Sequence, residues 1–168
     1  MKTINDPVVG PAPLMRGWLH LGTSPVALIA GFVLVILAPT LSMRVALAIF
    51  TISSAALFTV SATYHRIKWT PYWKAFFRKL DHATIFLIIA GTYTPVTIYW
   101  LEKSQAQTLL LLVWTGSIVG LLARIFWLRA PRWFYVPIYL LIGWAAIFYL
   151  PEFVNHAGWL IVGFIIAG

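Results

Sequence analysis

The sequence predicts an all-α, polytopic integral membrane helical bundle, and three observations carry that prediction. Hydrophobic residues make up 61% of the 168 residues and charged residues only 10%, whereas soluble domains have about 45–50% and about 25%. The mean hydropathy is +0.89. Long uncharged apolar runs recur along the chain, and none alternates as a transmembrane β-strand would. So few charges cannot cover this much apolar surface, which excludes a soluble enzyme, a disordered chain and a nucleic-acid-binding module.

The apolar runs have the length of membrane-spanning helices, which need about 17–25 residues to cross the hydrocarbon core. Five complete spans are predicted at residues 18–38, 45–64, 82–99, 108–127 and 133–150. A sixth run, 159–168, is too short to cross the membrane. The connections are short and no linker divides the chain, so we interpret residues 1–168 as a single transmembrane domain.

The basic residues are distributed unevenly between the two ends of the predicted bundle. Of the 12 Lys and Arg residues, all but Arg44 and Lys103 fall on the side of the N-terminus. Loops rich in Lys and Arg stay in the cytoplasm, so we expect a cytoplasmic N-terminus and a location in the bacterial inner membrane. The net charge of +8 is then a topology signal. Membrane lipids are the expected partners, and neither nucleic acid nor a soluble partner is predicted.

A short amphipathic helix is predicted over residues 71–80, between the second and third spans. Thr70 followed by Pro71 is typical of a helix start, and Trp73, Phe76 and Phe77 recur at helical spacing. We expect this helix to lie in the inner membrane interface, with its basic residues toward anionic head groups. It either only anchors the neighbouring spans or also shapes the mouth of a site.

Ionisable residues meet at the cytoplasmic ends of the second and third spans. Ser61 and His65 are four residues apart, so they share a helix face, and Asp81 and His82 open the next span. The topology alone puts His65, Asp81 and His82 at the same depth. Imidazole and carboxylate groups are zinc ligands or proton acceptors. The alternatives are an interfacial histidine, an aspartate that caps the third span and, with less support, a Ser–His–Asp triad.

Three further features indicate close packing or a polar cavity. Pro95 removes a backbone hydrogen bond in the middle of the third span, where the segment 91–95 either packs or lines a cavity. Gly116 and Gly120 form a G-x-x-x-G pattern, which permits close approach of helices. Arg124 ends the fourth span, where we expect it to snorkel toward the interface.

Taken in order, these motifs resemble the bacterial hemolysin III family, which is related to the progestin and adipoQ receptors, including the adiponectin receptors. The motifs that carry the resemblance are R-G-W-L-H at 16–20, S-x-x-x-H at 61–65, L-D-H at 80–82 and A-G-T-Y-T-P at 90–95. Their order and spacing match the family from about residue 16 to residue 95.

The resemblance implies a seven-helix bundle with a cytoplasmic-side zinc site. Carried over residue by residue, His65 is a zinc ligand, Asp81 holds the metal-bound water and Ser61 supports the ligands. The family's other two ligands come from an H-x-x-x-H at the start of a seventh helix. This sequence contains no H-x-x-x-H and ends at Gly168, so we interpret it as truncated before the seventh helix, with one of three family ligands present.

Three functions remain open at this point. The first is a zinc-dependent hydrolase that acts on a lipid amide or ester from the inner leaflet. The second is a pore-forming, cytolytic protein, which the family name implies. The third is a non-catalytic, receptor-like membrane protein whose zinc is structural.

Overall fold

The computed structural model describes residues 14–127, 132–155 and 163, and these residues confirm the all-α membrane architecture. The helices are α1 (Leu14–Leu37), α2 (Leu41–Arg66), α3 (Pro71–Trp100), α4 (Lys103–Phe126) and α5 (Arg132–Gly143). Within the described ranges, five helical stretches are long and apolar enough to cross a membrane. The fifth of these, Val136–Asn155, begins inside α5 and continues through a 3-10 helix, Ala145–Tyr149. The predicted sixth run, 159–168, lies outside the described residues apart from Gly163.

The helix predicted over 71–80 is part of α3 and is not a separate element. Pro71 occupies the first turn after Thr70, as the sequence indicates, but the helix then runs without interruption to Trp100. No glycine or proline separates Pro71 from the first apolar residues of the third span, which allows the helix to continue there. The cytoplasmic end of the predicted third span therefore lies within a helix of 30 residues.

α1 packs against α2 along a seam of small residues. Gly17, Ser24 and Gly31 recur every seven residues, a spacing that keeps them on one side of a packed helix. A Cβ atom added at Gly17 would lie 3.1 Å from Cβ of His65, and one added at Gly31 would overlap the side chain of Thr51. Small residues let two membrane helices approach closely, and here they hold α1 and α2 antiparallel.

The apolar core lies between α3, α4 and α5. Phe86 of α3 is fully buried and stacks on Tyr139 of α5, with ring centroids 4.3 Å apart. Its ring fills the space above Gly120, where any added Cβ would overlap it, and Ile142 lies 3.0 Å from a Cβ added at Gly116. The G-x-x-x-G pattern therefore marks a real contact surface, with one glycine against α3 and the other against α5.

The fifth span changes helix type in its middle. α5 ends at Gly143 and five residues follow in the 3-10 conformation. Glycine has little helix propensity, and Pro151 cannot donate to the carbonyl of Ile147 four residues earlier. The phenol of Tyr93 bridges the break, because its O–H donates to the Gly143 carbonyl (2.7 Å) and its oxygen accepts from the Ala146 N–H (3.1 Å).

Candidate functional site

Asp81 lies in the interior of a helix. The structure shows that the interpretation of this residue as the cap of a third span is wrong, because α3 begins ten residues earlier at Pro71. The side chain is only 7% exposed. The backbone carbonyl of Asp81 accepts a hydrogen bond from the Thr84 hydroxyl at 3.0 Å. A carboxylate held inside a membrane-spanning helix bundle is costly, so such a residue marks a functional site by default.

Ser61 and His65 lie on the last two turns of α2, as their spacing predicts. Ser61 is 1% exposed, and its Oγ has no hydrogen-bond partner within the part of the chain that the structure describes. His65 is half-buried. Its Cβ packs against Gly17 of α1, and its ring meets the Tyr64 ring edge-on at 4.8 Å. The bare Gly17 backbone therefore gives the His65 side chain its space.

His82 does not join these residues through its ring. Its Nδ1 bonds to the carbonyl of Arg78, one turn back on the same helix, at 2.7 Å. Its carbonyl accepts a longer bond, 3.4 Å, from the hydroxyl of Tyr139. The His82 side chain is thus directed along α3, and the hydrogen bond to the His82 backbone carbonyl connects α3 to α5.

The helix pairing places the candidate residues at one end of the bundle. Gly91 of α3 packs directly on Ser53 of α2. Because antiparallel helices rise equally in opposite directions, eight residues further along α2 bring Ser61 level with Ala83. The common depth of the second and third span ends, which the topology predicts, follows from this pairing.

A complete ligand set is not assembled by the residues that the structure describes. Across 14–127 and 132–155 no three His, Cys, Asp or Glu side chains come close enough to hold one metal ion. Zinc in proteins takes three or four such ligands. His65 fits the part of one ligand, and a set of three would need at least one residue outside the described ranges.

Arg124 is a residue whose position the sequence reasoning missed. The sequence predicts that its side chain snorkels toward the interface, whereas in the structure Arg124 is buried on α4, with only 5% of its surface exposed. Because Gly120 packs on Phe86, the antiparallel pairing of α3 and α4 brings Arg124 level with His82, next to Asp81. The sequence spacing indicates this burial, because Arg124 follows Gly120 by one helical turn and therefore shares the face that packs on α3.

The polar groups of segment 91–95 are used for packing. Thr94 Oγ1 donates to the Ala90 carbonyl (2.8 Å) and accepts from Trp114 Nε1 (3.1 Å). Thr92 donates to the Ile88 carbonyl, also at 2.8 Å. Tyr93 reaches the break after α5. Of the two interpretations of this segment, the structure supports packing.

Comparison with known proteins gives a consistent result. The family model described as Haemolysin-III related matches residues 11–167. "Hemolysin-3" of Bacillus cereus is 35% identical over 108 residues, 64% of this chain and 49% of that protein. "Hemolysin-3 homolog" of Bacillus subtilis (strain 168) is 32% identical over 103 residues, 61% of this chain and 48% of that protein. The chain thus spans about half the length of the curated relatives it matches.

Proposed function

The chain belongs to the Haemolysin-III related family, and from that premise we propose that it belongs to a bacterial inner-membrane protein that hydrolyses a lipid amide or ester. The reaction takes place at the end of the bundle that carries Ser61, His65 and Asp81. The observation that supports this most is the burial of Asp81 inside a continuous apolar helix. A residue that caps a helix has to lie at the helix end, so capping does not explain a carboxylate in the interior of α3. A role as proton acceptor does explain it.

The roles follow from the chemistry of the groups. The Asp81 carboxylate accepts a proton from the attacking water and orients it. The Ser61 hydroxyl lies buried one turn from His65 with no hydrogen-bond partner among the described residues, and it would donate a hydrogen bond to a molecule bound in the site. His65 would hold zinc as one ligand of several. Zinc, when bound, polarises a carbonyl group and makes water more acidic. The described residues supply only part of its ligand set.

Two other functions compete with this proposal. Both relatives carry the name hemolysin, which favours membrane lysis as the second candidate. Stepwise currents from pure protein in planar bilayers would support that candidate. The third is a receptor-like protein with structural zinc, in which metal removal lowers thermal stability and Asp81→Asn changes nothing.

The test compares single substitutions in the purified protein. Zinc content is measured by inductively coupled plasma mass spectrometry, and turnover is measured on a long-chain acyl amide or acyl ester in mixed micelles. We expect His65→Ala to lose zinc and turnover together, and Asp81→Asn to keep zinc but lose turnover by about 10²–10⁴-fold, the usual contribution of a general base. His156→Ala, which the predicted topology puts at the opposite end, is the matched histidine control. Full turnover in Asp81→Asn would falsify the proposal.

A further inference from the structure

A groove between α1 and α2 opens at the end of the bundle that carries most basic residues. Its volume is about 240 Å³. It is lined by Leu21 and Ser24 of α1, by Thr59, Ala62, Thr63 and Arg66 of α2, and by Ile67. None of these residues belongs to the Ser61, His65 and Asp81 site, so the groove needs an explanation of its own.

The groove has a polar floor and a cationic mouth. At its inner end the hydroxyls of Ser24 and Thr59 lie 3.2 Å apart and share a hydrogen bond. At its outer end Arg66 is held in place by α1. Its guanidinium carbon lies 3.5 Å from the centroid of the Trp18 ring, and its Cγ lies 3.0 Å from a Cβ added at Gly17. The charge is therefore pre-positioned instead of moving freely in solvent.

Among the residues that the structure describes, the lining contains a positive charge and no carboxylate. The sequence has only four acidic residues, and none of the three that the structure describes lines the groove. Of these three, Asp81 is buried in α3, whereas Glu102 precedes α4 and Glu152 bonds to Gln105 in the first turn of α4, at the opposite end of the bundle. The groove therefore favours an anionic ligand.

The walls match the rest of a phospholipid. Leu21 and Ile67 are about half exposed and offer apolar surface to an acyl chain. In a lipid the phosphate lies at the interface, and the ester groups and acyl chains lie deeper. Arg66 lies at the end of α2, and the hydroxyls of Thr63, Thr59 and Ser24 follow it toward the membrane interior. The groove therefore offers a cation at the depth of the lipid phosphate and hydroxyls at the depth of the ester groups.

We infer that this groove binds the phosphate of an anionic glycerophospholipid of the inner leaflet. Arg66 pairs with the phosphodiester, and the hydroxyls of Ser24 and Thr59 face its ester oxygens. The lipid joins α1 to α2 at the point where α1 enters the membrane. This site lies outside the proposed hydrolytic site, so a lipid bound here is a resident ligand and not a substrate.

The test is lipid retention and lipid affinity, measured on the purified protein by native mass spectrometry. The protein is released from nanodiscs that contain phosphatidylglycerol and phosphatidylcholine in equal amounts. We expect the unaltered protein to retain phosphatidylglycerol selectively, and Arg66→Gln to lower that affinity at least five-fold. Lys74→Gln removes an exposed charge from the same end but outside the groove, and we expect no change.

Two further arms keep the result decisive. Ala62→Leu keeps Arg66 but narrows the groove, so it should also lower phosphatidylglycerol retention at least five-fold, and it gives the answer if Arg66→Gln does not fold. Inorganic phosphate at millimolar concentration should fail to displace the lipid. Equal losses in Arg66→Gln and Lys74→Gln, unchanged retention in Ala62→Leu, or displacement by phosphate alone would each overturn the inference.

Discussion

α1 and α3 are both long apolar helices, yet the bundle holds them in opposite ways. In the most apolar window of α1 only 6% of the residues are buried, whereas in that of α3 44% are buried. α1 touches α2 through its small-residue seam and leaves its large side chains exposed, such as Phe32 and Leu37. α3 lies between α2, α4 and α5 and buries Phe86, Thr94 and Thr97.

This difference separates two ways of stabilising a membrane helix. Lipid chains are as apolar as leucine, so hydrophobicity inserts both helices but positions neither of them. α1 is positioned by close backbone approach, and α3 by interlocked aromatic side chains and by polar contacts. Substitutions on α3 and its partners should therefore cost more than equivalent substitutions on α1.

The largest effect is expected at the contact between α3 and α4. In Gly120→Ala the new methyl group overlaps the ring of Phe86, which is fully buried and stacked on Tyr139. Overpacking of this kind should lower the free energy of unfolding by about 3 kcal/mol. Unfolding is followed by circular dichroism during titration of mixed micelles with sodium dodecyl sulfate.

Gly22→Ala is the matched control on α1. Nothing lies within 4 Å of a Cβ added at Gly22, so this substitution should leave stability unchanged or raise it by up to about 1 kcal/mol through helix propensity. Equal losses of unfolding free energy in Gly120→Ala and Gly22→Ala would show that the different packing of α1 and of the core has no effect on stability.

The next effect is expected at the hydroxyl of Tyr93. Tyr93→Phe removes the donor to the Gly143 carbonyl and the acceptor for the Ala146 N–H. Two backbone groups at the break in the fifth span would then lose their partner, at a cost of about 2 kcal/mol. Hydrogen exchange at Ala146 should accelerate. Tyr99→Phe on the same helix, where the ring is 61% exposed, should change neither quantity, and a slow Ala146 amide in Tyr93→Phe would contradict the prediction.

The sequence predicted what depends on hydropathy and charge. The helical membrane class, the contact role of Gly116 and Gly120, and the helix start at Pro71 follow from local patterns. Hydropathy could not show that α3 continues through Asp81, because a break between an interfacial helix and a span requires no particular composition. It also could not show that Arg124 is buried, because a terminal arginine is equally compatible with snorkelling.

The candidate site was predictable only in part for the same reason. Ser61 and His65 share a face through their spacing alone, and the topology gives Asp81 the same depth. The direction of a side chain depends on its neighbours, however. The His82 ring bonds to its own helix at Arg78, and no pattern in the sequence indicates that choice. The zinc assignment to His65 therefore stays a prediction.

The smallest effect is expected at the seam of α1. Gly31→Ala brings a methyl group into the side chain of Thr51, but among the described helices α1 contacts α2 alone and can move away from it. The expected loss is about 1 kcal/mol, at the low end for overpacking. Adding Thr51→Ala removes Oγ1 and Cγ2, two of the three overlapping atoms, and should restore part of this loss. A double-mutant cycle measures that coupling. A coupling of zero would mean that α1 is not positioned by this contact, whereas a loss as large as that of Gly120→Ala would mean that α1 is held as rigidly as the core.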